Sequence, residues 1–213
     1  MSAVFFDLDG TLIDSRADLA AAVNCTRGDF DLPSLPPERV AAFVGEGLRR
    51  LVERALPEFP ARVEEAVTRT RGHYREHLLD QTTLYPGVAD GLQRLVAQGW
   101  RCAVVTNKPR EFVDLLLQGL GIDRLFGALV GGGETAALKP DPAPLRLAAE
   151  RLGRRDLVGC WIAGDHFTDL EAGRRAGIRR CYCRYGFGDP RDEPYDLAVD
   201  SLVEMAEHLG PAG

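Results

Sequence analysis

Lysine is almost missing from this 213-residue chain: of its 26 basic residues only Lys108 and Lys139 are not arginine. A retained ammonium among guanidinium groups marks a place where a compact point charge could be needed, although coding bias explains the same count. A basic excess is missing too, because 32 acidic residues leave a formal net charge of −6. That balance excludes a nucleic-acid binder working through a basic surface, while leaving room for a local cationic pocket. No apolar run approaches the ~18 residues that a bilayer crossing needs. The N-terminal MSAVFFDLDG has no basic residue ahead of its short apolar run and carries Asp7 and Asp9, unlike a secretion signal. A cytoplasmic protein without a membrane partner is expected. The five cysteines, Cys25, Cys102, Cys160, Cys181 and Cys183, lack the paired spacings of a zinc site or a disulfide framework. Cys181 and Cys183 would share one face of a strand, where small buried hydrophobes in a reducing compartment are expected before metal ligands. What the chain has is ordinary globular material, 45% apolar and 27% charged, which excludes disordered and coiled-coil classes. Its length suffices to bury roughly 70% of the unfolded surface.

The apolar run AVFF at 3 to 6 stops at DLDGT and reads as a buried strand ending in a polar loop. Further strands are expected within 101 to 107, 127 to 133, 157 to 165 and 178 to 186. Helical patterns lie between them, around 87 to 98, 109 to 119, 142 to 152 and 167 to 176. Such alternation predicts an α/β fold, a Rossmann-like parallel sheet covered on both faces, with ligands beyond the carboxyl ends of the strands. One interval breaks it. From Ser15 to about Thr82 only helical patterns are found, roughly 16 to 30, 37 to 56 and 60 to 80, separated by DLPSLPP and PEFP. Ser15 with Asp18 supplies a start signal for the first of them. The expected organisation is an α/β core of 1 to 14 plus 83 to 213, with an all-helical cap of about 15 to 82 inserted after the first strand.

Two carboxylates one residue apart at the end of a buried strand form a dense negative site, costly unless a cation neutralises it. A divalent metal is implied, and an all-carboxylate donor set points to Mg2+ rather than zinc. Taken singly, Thr106 could cap a strand end, Lys139 could be a surface charge, and Asp165 with Asp169 could be helix-start acids. In order, however, DLDGT, VTN at 105 to 107, LKPDP at 138 to 142 and GDHFTD at 164 to 169 resemble the haloacid dehalogenase superfamily.

That resemblance implies a phosphatase. It carries the role of nucleophile toward phosphorus to Asp7. Asp9 becomes the acid that protonates the leaving oxygen and the base that later activates water. Thr106, with backbone NH groups including that of Asn107, would bind phosphoryl oxygens. Lys139 would offset negative charge on the nucleophile and the phosphoryl group. Asp165 would complete the Mg2+ site with the Asp7 carboxylate and the Asp9 carbonyl, with Asp169 in support. A non-enzymatic receiver domain also phosphorylates a strand-end aspartate, but explains neither the DGT turn nor the helical insertion. Asp9 disfavours dehalogenation, and the absence of lysine from 15 to 82 excludes Schiff-base chemistry in the cap.

Longer stretches, VGEGLRRLVERAL, YREHLLDQTTLYPGV, GGGETAALKPDPAPL and YGFG, resemble the phosphoglycolate phosphatase branch across nearly the whole chain. The implied partner is a small anionic phosphorylated metabolite, first of all 2-phosphoglycolate. An amino-sugar phosphate, a sugar phosphate or pyrophosphate, a hexose-phosphate mutase reaction, and a catalytically silent binding protein on the same scaffold remain as alternatives. Gly45-Glu46-Gly47 is expected to be an inter-helix turn, and Arg49 and Arg50 a solvated face. His166, which departs from the branch pattern, is expected to be a tolerated loop residue. His73 and His77 are expected on an exposed helix or its edge, and Lys108 has no assigned role.

Overall fold

The computed structural model describes residues 2–213. Six strands form one sheet in the order β5-β4-β1-β6-β7-β8, and every neighbouring pair is parallel. The strands are β1 (Ala3–Phe6), β4 (Arg101–Pro109), β5 (Ala128–Gly132), β6 (Trp161–Gly164), β7 (Arg179–Cys183) and β8 (Leu197–Val199). All four residues of β1 are buried, which is why it reads as a continuous apolar run. Side chains alternate across it. Val4 and Phe6 join the core under helices α5 (Val88–Ala97), α6 (Arg110–Gly119) and α9 (Leu202–Leu209), while Ala3 and Phe5 join the core under α7 (Ala143–Arg151) and α8 (Phe167–Ala176).

A two-residue pairing, β2 (Ile13–Asp14) with β3 (Thr83–Leu84), closes the neck between the sheet and a helical insertion. The insertion contains α1 (Arg16–Asp29), α2 (Pro37–Ala41), α3 (Leu48–Ala55) and α4 (Val63–His77). It has its own small core around Val23, Phe30, Val40, Val52 and Leu56. Buried Arg27 spreads its guanidinium between the carbonyls of Pro33 and Ala55 and the carboxylate of Glu58, tying the insertion's loops together.

Three expectations need correction. The pattern over 37 to 56 is two helices, because the chain turns sharply at Gly45 and Gly47, both with positive φ. Ser15 does not cap α1 with its side chain. Its hydroxyl donates to Asp9 Oδ1 at 2.5 Å, while Asp18 accepts from Gln81 N, Thr82 N and the Thr82 hydroxyl across the neck. Tertiary partners have taken both members of the apparent capping pair. Finally, β8 was not anticipated.

Candidate active site

The sheet order reverses at β1, which lies between β4 and β6, and a crevice opens beyond the carboxyl ends of such strands. Asp7 follows β1, Thr106, Asn107 and Lys108 end β4, and Asp165 follows β6. Three adjacent strands thus deliver their polar ends to one place. Asp7 N donates to Ala163 O at 3.0 Å, so the nucleophile candidate begins its loop still paired to β6.

The sequence-predicted residues converge. Asp7, Asp165 and Asp169 each offer a carboxylate oxygen, and these oxygens lie within 4.8 Å of one another in buried surroundings. Lys139 Nζ donates to Asp169 Oδ1 and to the Val105 carbonyl, both at 2.6 Å, and lies 2.9 Å from Asp7 Oδ1. That last approach is an ion pair without hydrogen-bond alignment, so Asp7 Oδ1 is buried with no donor. Asn107 fixes Lys139 from behind, accepting from Lys139 N at 2.8 Å and donating to Lys139 O at 2.9 Å. Thr106 lines the same cavity as Asp7 and Asp9.

Asp165 is held by Thr11 Oγ1 at 3.1 Å and by the amides of Phe187 and Gly188 at 3.1 and 2.7 Å. Gly10 has φ +83°, and a Cβ there would fall 1.9 Å from Asp165 Oδ2, so the DGT turn admits no other residue at this position. Asp169 occupies the third position of α8 and accepts from His166 N, making a reciprocal cap with the His166 side chain. His166 is therefore more than a tolerated loop residue. It is buried, its Nδ1 lies 2.9 Å from the Thr168 hydroxyl, and burial holds its pKa down to about 4.

The electrostatics call for a cation. Burial, then the charges of Asp7 and Asp169, push Asp165 well above the usual carboxylate range. Burial and Asp7 likewise lift Asp169 to about 7 against the opposing pull of Lys139. Burial would lower Lys139, but Asp169 and Asp7 outweigh it and raise its ammonium. Three carboxylates against one ammonium leave two negative charges, which one divalent ion would neutralise. Hard oxygen donors and the orphaned Asp7 Oδ1 fit Mg2+ or a similar ion.

The insertion closes over this centre. Gly45 O accepts from Asn107 Nδ2 at 2.9 Å. At φ +112°, a Cβ on Gly45 would lie 2.7 Å from the His166 ring. The Gly45-Glu46-Gly47 turn thus docks on the core through a carbonyl rather than offering NH groups to an anion. A cavity of about 40 Å3 remains between the two parts, lined by Asp7, Asp9, Leu19, Leu48, Tyr74 and Lys108 among others.

A family model for haloacid dehalogenase-like hydrolases matches residues 4–183. The chain belongs to that family. It is 40% identical over 212 residues to the plasmid phosphoglycolate phosphatase of Cupriavidus necator, covering 98% of this chain and 91% of that one. It is 38% identical over 211 residues to the phosphoglycolate phosphatase of Chromobacterium violaceum, covering 96% and 95%. A crystal structure of a predicted phosphoglycolate phosphatase from Haemophilus somnus superimposes with a TM-score of 0.88 at 30% identity, over 97% of each chain. This haloacid dehalogenase-like hydrolase is accordingly a phosphatase of the phosphoglycolate phosphatase-like branch.

Other site residues went unread in the sequence. Lys108 is the main one. Its side chain is 3% exposed, and Nζ donates to both Asp9 oxygens at 2.9 and 3.1 Å. The ammonium also lies 4.4 Å from the centre of the Tyr74 ring. Burial would lower its proton affinity, but Asp9 foremost overcomes this and holds the group at about 12. A strand's period of two puts Lys108 on the same side as Thr106, a signal available in the sequence. Thr11 and the Phe187-Gly188 amides gave none, since only the fold brings them to Asp165. Arg49 and Arg50 lie on a solvated face, paired with Glu53 and Glu64. His73 pairs with Asp29 and His77 with Asp80, so the two imidazoles serve separate acids. Cys181 and Cys183 are buried and free.

Proposed function

We propose that the chain is a Mg2+-dependent phosphomonoesterase working through an aspartyl phosphate on Asp7, with 2-phosphoglycolate as its substrate. The observation carrying the mechanism is Asp7 itself: a buried carboxylate with one oxygen lacking any donor, next to a lysine, lining the cavity between sheet and insertion. Asp7 attacks phosphorus as Asp9, in the same cavity, gives its proton to the departing alkoxide oxygen. Asp9 then takes a proton from water, which attacks the same phosphorus and returns the Asp7 carboxylate. Lys139 balances charge on Asp7 and the equatorial oxygens, and Thr106 with nearby backbone NH groups orients them. Asp7, Asp165, the Asp9 carbonyl and Asp169 would hold Mg2+, which supplies charge neutralisation for the phosphoryl group. The closed insertion excludes bulk water while Asp7 is being phosphorylated.

Cavity size supports a small substrate. About 40 Å3 admits about three water molecules, which suits a two-carbon body better than a hexose. The near-full-length similarity to phosphoglycolate phosphatases supports the same choice. The test is phosphate release with Mg2+ across 2-phosphoglycolate, amino-sugar phosphates, hexose phosphates and pyrophosphate. A leading kcat/KM for 2-phosphoglycolate, with activity abolished in Asp7→Asn, is expected. Equal rates across the panel would remove the substrate assignment, and turnover by Asp7→Asn would remove the mechanism. Isomerisation of a sugar phosphate without phosphate release would indicate a mutase.

A further inference from the structure

We propose that Lys108 and Tyr74 form a subsite for a second anionic group of the substrate, a carboxylate carried next to the phosphoester. The inference rests on the reading of the substrate as a small phosphorylated acid and adds which residues select it.

Donor counting carries the argument. An ammonium has three N–H bonds. Asp9 takes two from Lys108, at 2.9 and 3.1 Å, and beyond Asp9 the ammonium meets the Tyr74 ring, 4.4 Å away, rather than an aligned oxygen acceptor. One donor is left over on a group whose side chain is 3% exposed. Beside it, the Tyr74 hydroxyl is buried without a hydrogen-bond partner. The hydroxyl lies against Lys108 and bears on its proton affinity as a side-chain contact, yet the two are not aligned as hydrogen-bond partners. Buried hydroxyls are normally satisfied, so an orphan on a cavity wall points to an absent acceptor. Burial lifts this phenol to about 12, so it keeps its proton and remains a donor. Two spare donors, one cationic and one neutral, match the two oxygens of one carboxylate.

The rest of the cavity fits the same reading. Leu19, Val44, Leu48, Leu51 and Phe112 supply apolar walls, and Lys108 is the cation on the lining. Arg49 and Arg50 of α3 are solvent-exposed and paired with Glu53, and Arg54 is paired with Glu46. Lys108 and Tyr74 line the same cavity as Asp7 and Asp9, so the subsite and the phosphorylation centre open on one space. Tyr74 comes from α4 of the insertion and Lys108 from β4 of the core, so a bound carboxylate would be held by both halves and would favour their closure.

The test compares kcat/KM for 2-phosphoglycolate with that for ethyl phosphate, which has the same carbon chain and no carboxylate. Wild-type, Lys108→Met and Tyr74→Phe proteins are assayed with Mg2+. Whatever Lys108→Met costs through Asp9 falls on both esters, so the ratio between them is the readout. The wild-type ratio is expected to exceed about 100, falling by about 50-fold in Lys108→Met and about 5-fold in Tyr74→Phe, chiefly through KM. Tyr74→Phe removes only an oxygen without a partner, so it is expected to melt no lower than wild type and keeps the test valid if Lys108→Met folds poorly. A wild-type preference with ratios unchanged in both variants would overturn the subsite alone. A wild type that hydrolyses both esters equally would overturn the substrate reading and the subsite together.

Discussion

Asp165→Asn is expected to stabilise the metal-free protein while making it insensitive to magnesium. The carboxylate oxygens of Asp7, Asp165 and Asp169 lie within 4.8 Å of one another. At an effective dielectric of ~20, two unit charges at that distance repel by about 3 kcal/mol. Asp165 has two such neighbours, and the Lys139 ammonium, paired with both, offsets about one of them. The net relief on neutralising Asp165 is therefore about 3 kcal/mol. Asparagine fits the local donors. Its oxygen can accept from the Phe187 and Gly188 amides as Oδ2 does now, and its nitrogen can donate to Thr11 Oγ1 once that hydroxyl turns.

The pH dependence follows from the direction of the shifts. Asp165 and Asp169 both bind protons more tightly in the fold than in the open chain. Their favourable contribution is complete below the unfolded carboxylate pKa of ~3.9 and is lost as pH rises through the folded values, about 7 for Asp169. With chelator present, the variant and wild type should melt together only below about pH 4 and separate as pH rises from there. By pH 8 the variant should melt about 6–12 °C higher, at about 2–4 °C per kcal/mol for a domain this size. Added Mg2+ should raise the wild-type midpoint and leave the variant nearly unchanged. A gap that does not depend on pH, or an equal magnesium increment in both proteins, would refute the buried-charge argument.

Lys139→Arg keeps the charge but puts a planar fork where a side chain 1% exposed meets Asp7, Asp169 and the Val105 carbonyl. Phosphate release should fall by about 100-fold or more, and near wild-type turnover would show that a compact ammonium is not required there. Gly45→Ala places a Cβ against the His166 ring at a φ that favours glycine, so the insertion should seat poorly and kcat/KM should drop by about tenfold. Unchanged steady-state kinetics would mean that the turn adjusts freely. Asp18→Ala removes the acceptor for Gln81 N, Thr82 N and the Thr82 hydroxyl, and should cost about 2–4 kcal/mol in urea unfolding. A loss under about 1 kcal/mol would show that β2 and β3 hold the neck without it.

Much of this was legible because the signals were local and long enough to carry a period. β1 is buried on both faces and so reads as an unbroken apolar run into DLDGT, and the helices between strands show their apolar stripes. β2 and β3 span two residues each, too few for any period to register. Ser15 and Asp18 looked like a cap because their spacing is right for one. The fold instead placed Asp9 and Thr82 within reach of them, which no local pattern announces. His166 is a related case: its partners Asp169 and Thr168 are close in sequence, but the Gly45 turn against its ring comes from a distant segment.

The two lysines show most clearly what sequence and structure each contribute. Both ammonium groups are buried, and each faces carboxylate: Lys139 with Asp7 and Asp169, Lys108 with Asp9. Buried Arg27 does a different task, reaching two carbonyls and a glutamate from separate segments with its fork. A fork suits acceptors that are spread apart, whereas a point charge suits acids crowded around one atom. Coding bias can fill the surface with arginine, but it does not place the only two exceptions in one site. Four carboxylates and two ammonium groups there still leave two negative charges, so the lysines reduce the repulsion without removing it. The remaining charge of about −2 is what one divalent ion would balance, and a third lysine would halve it.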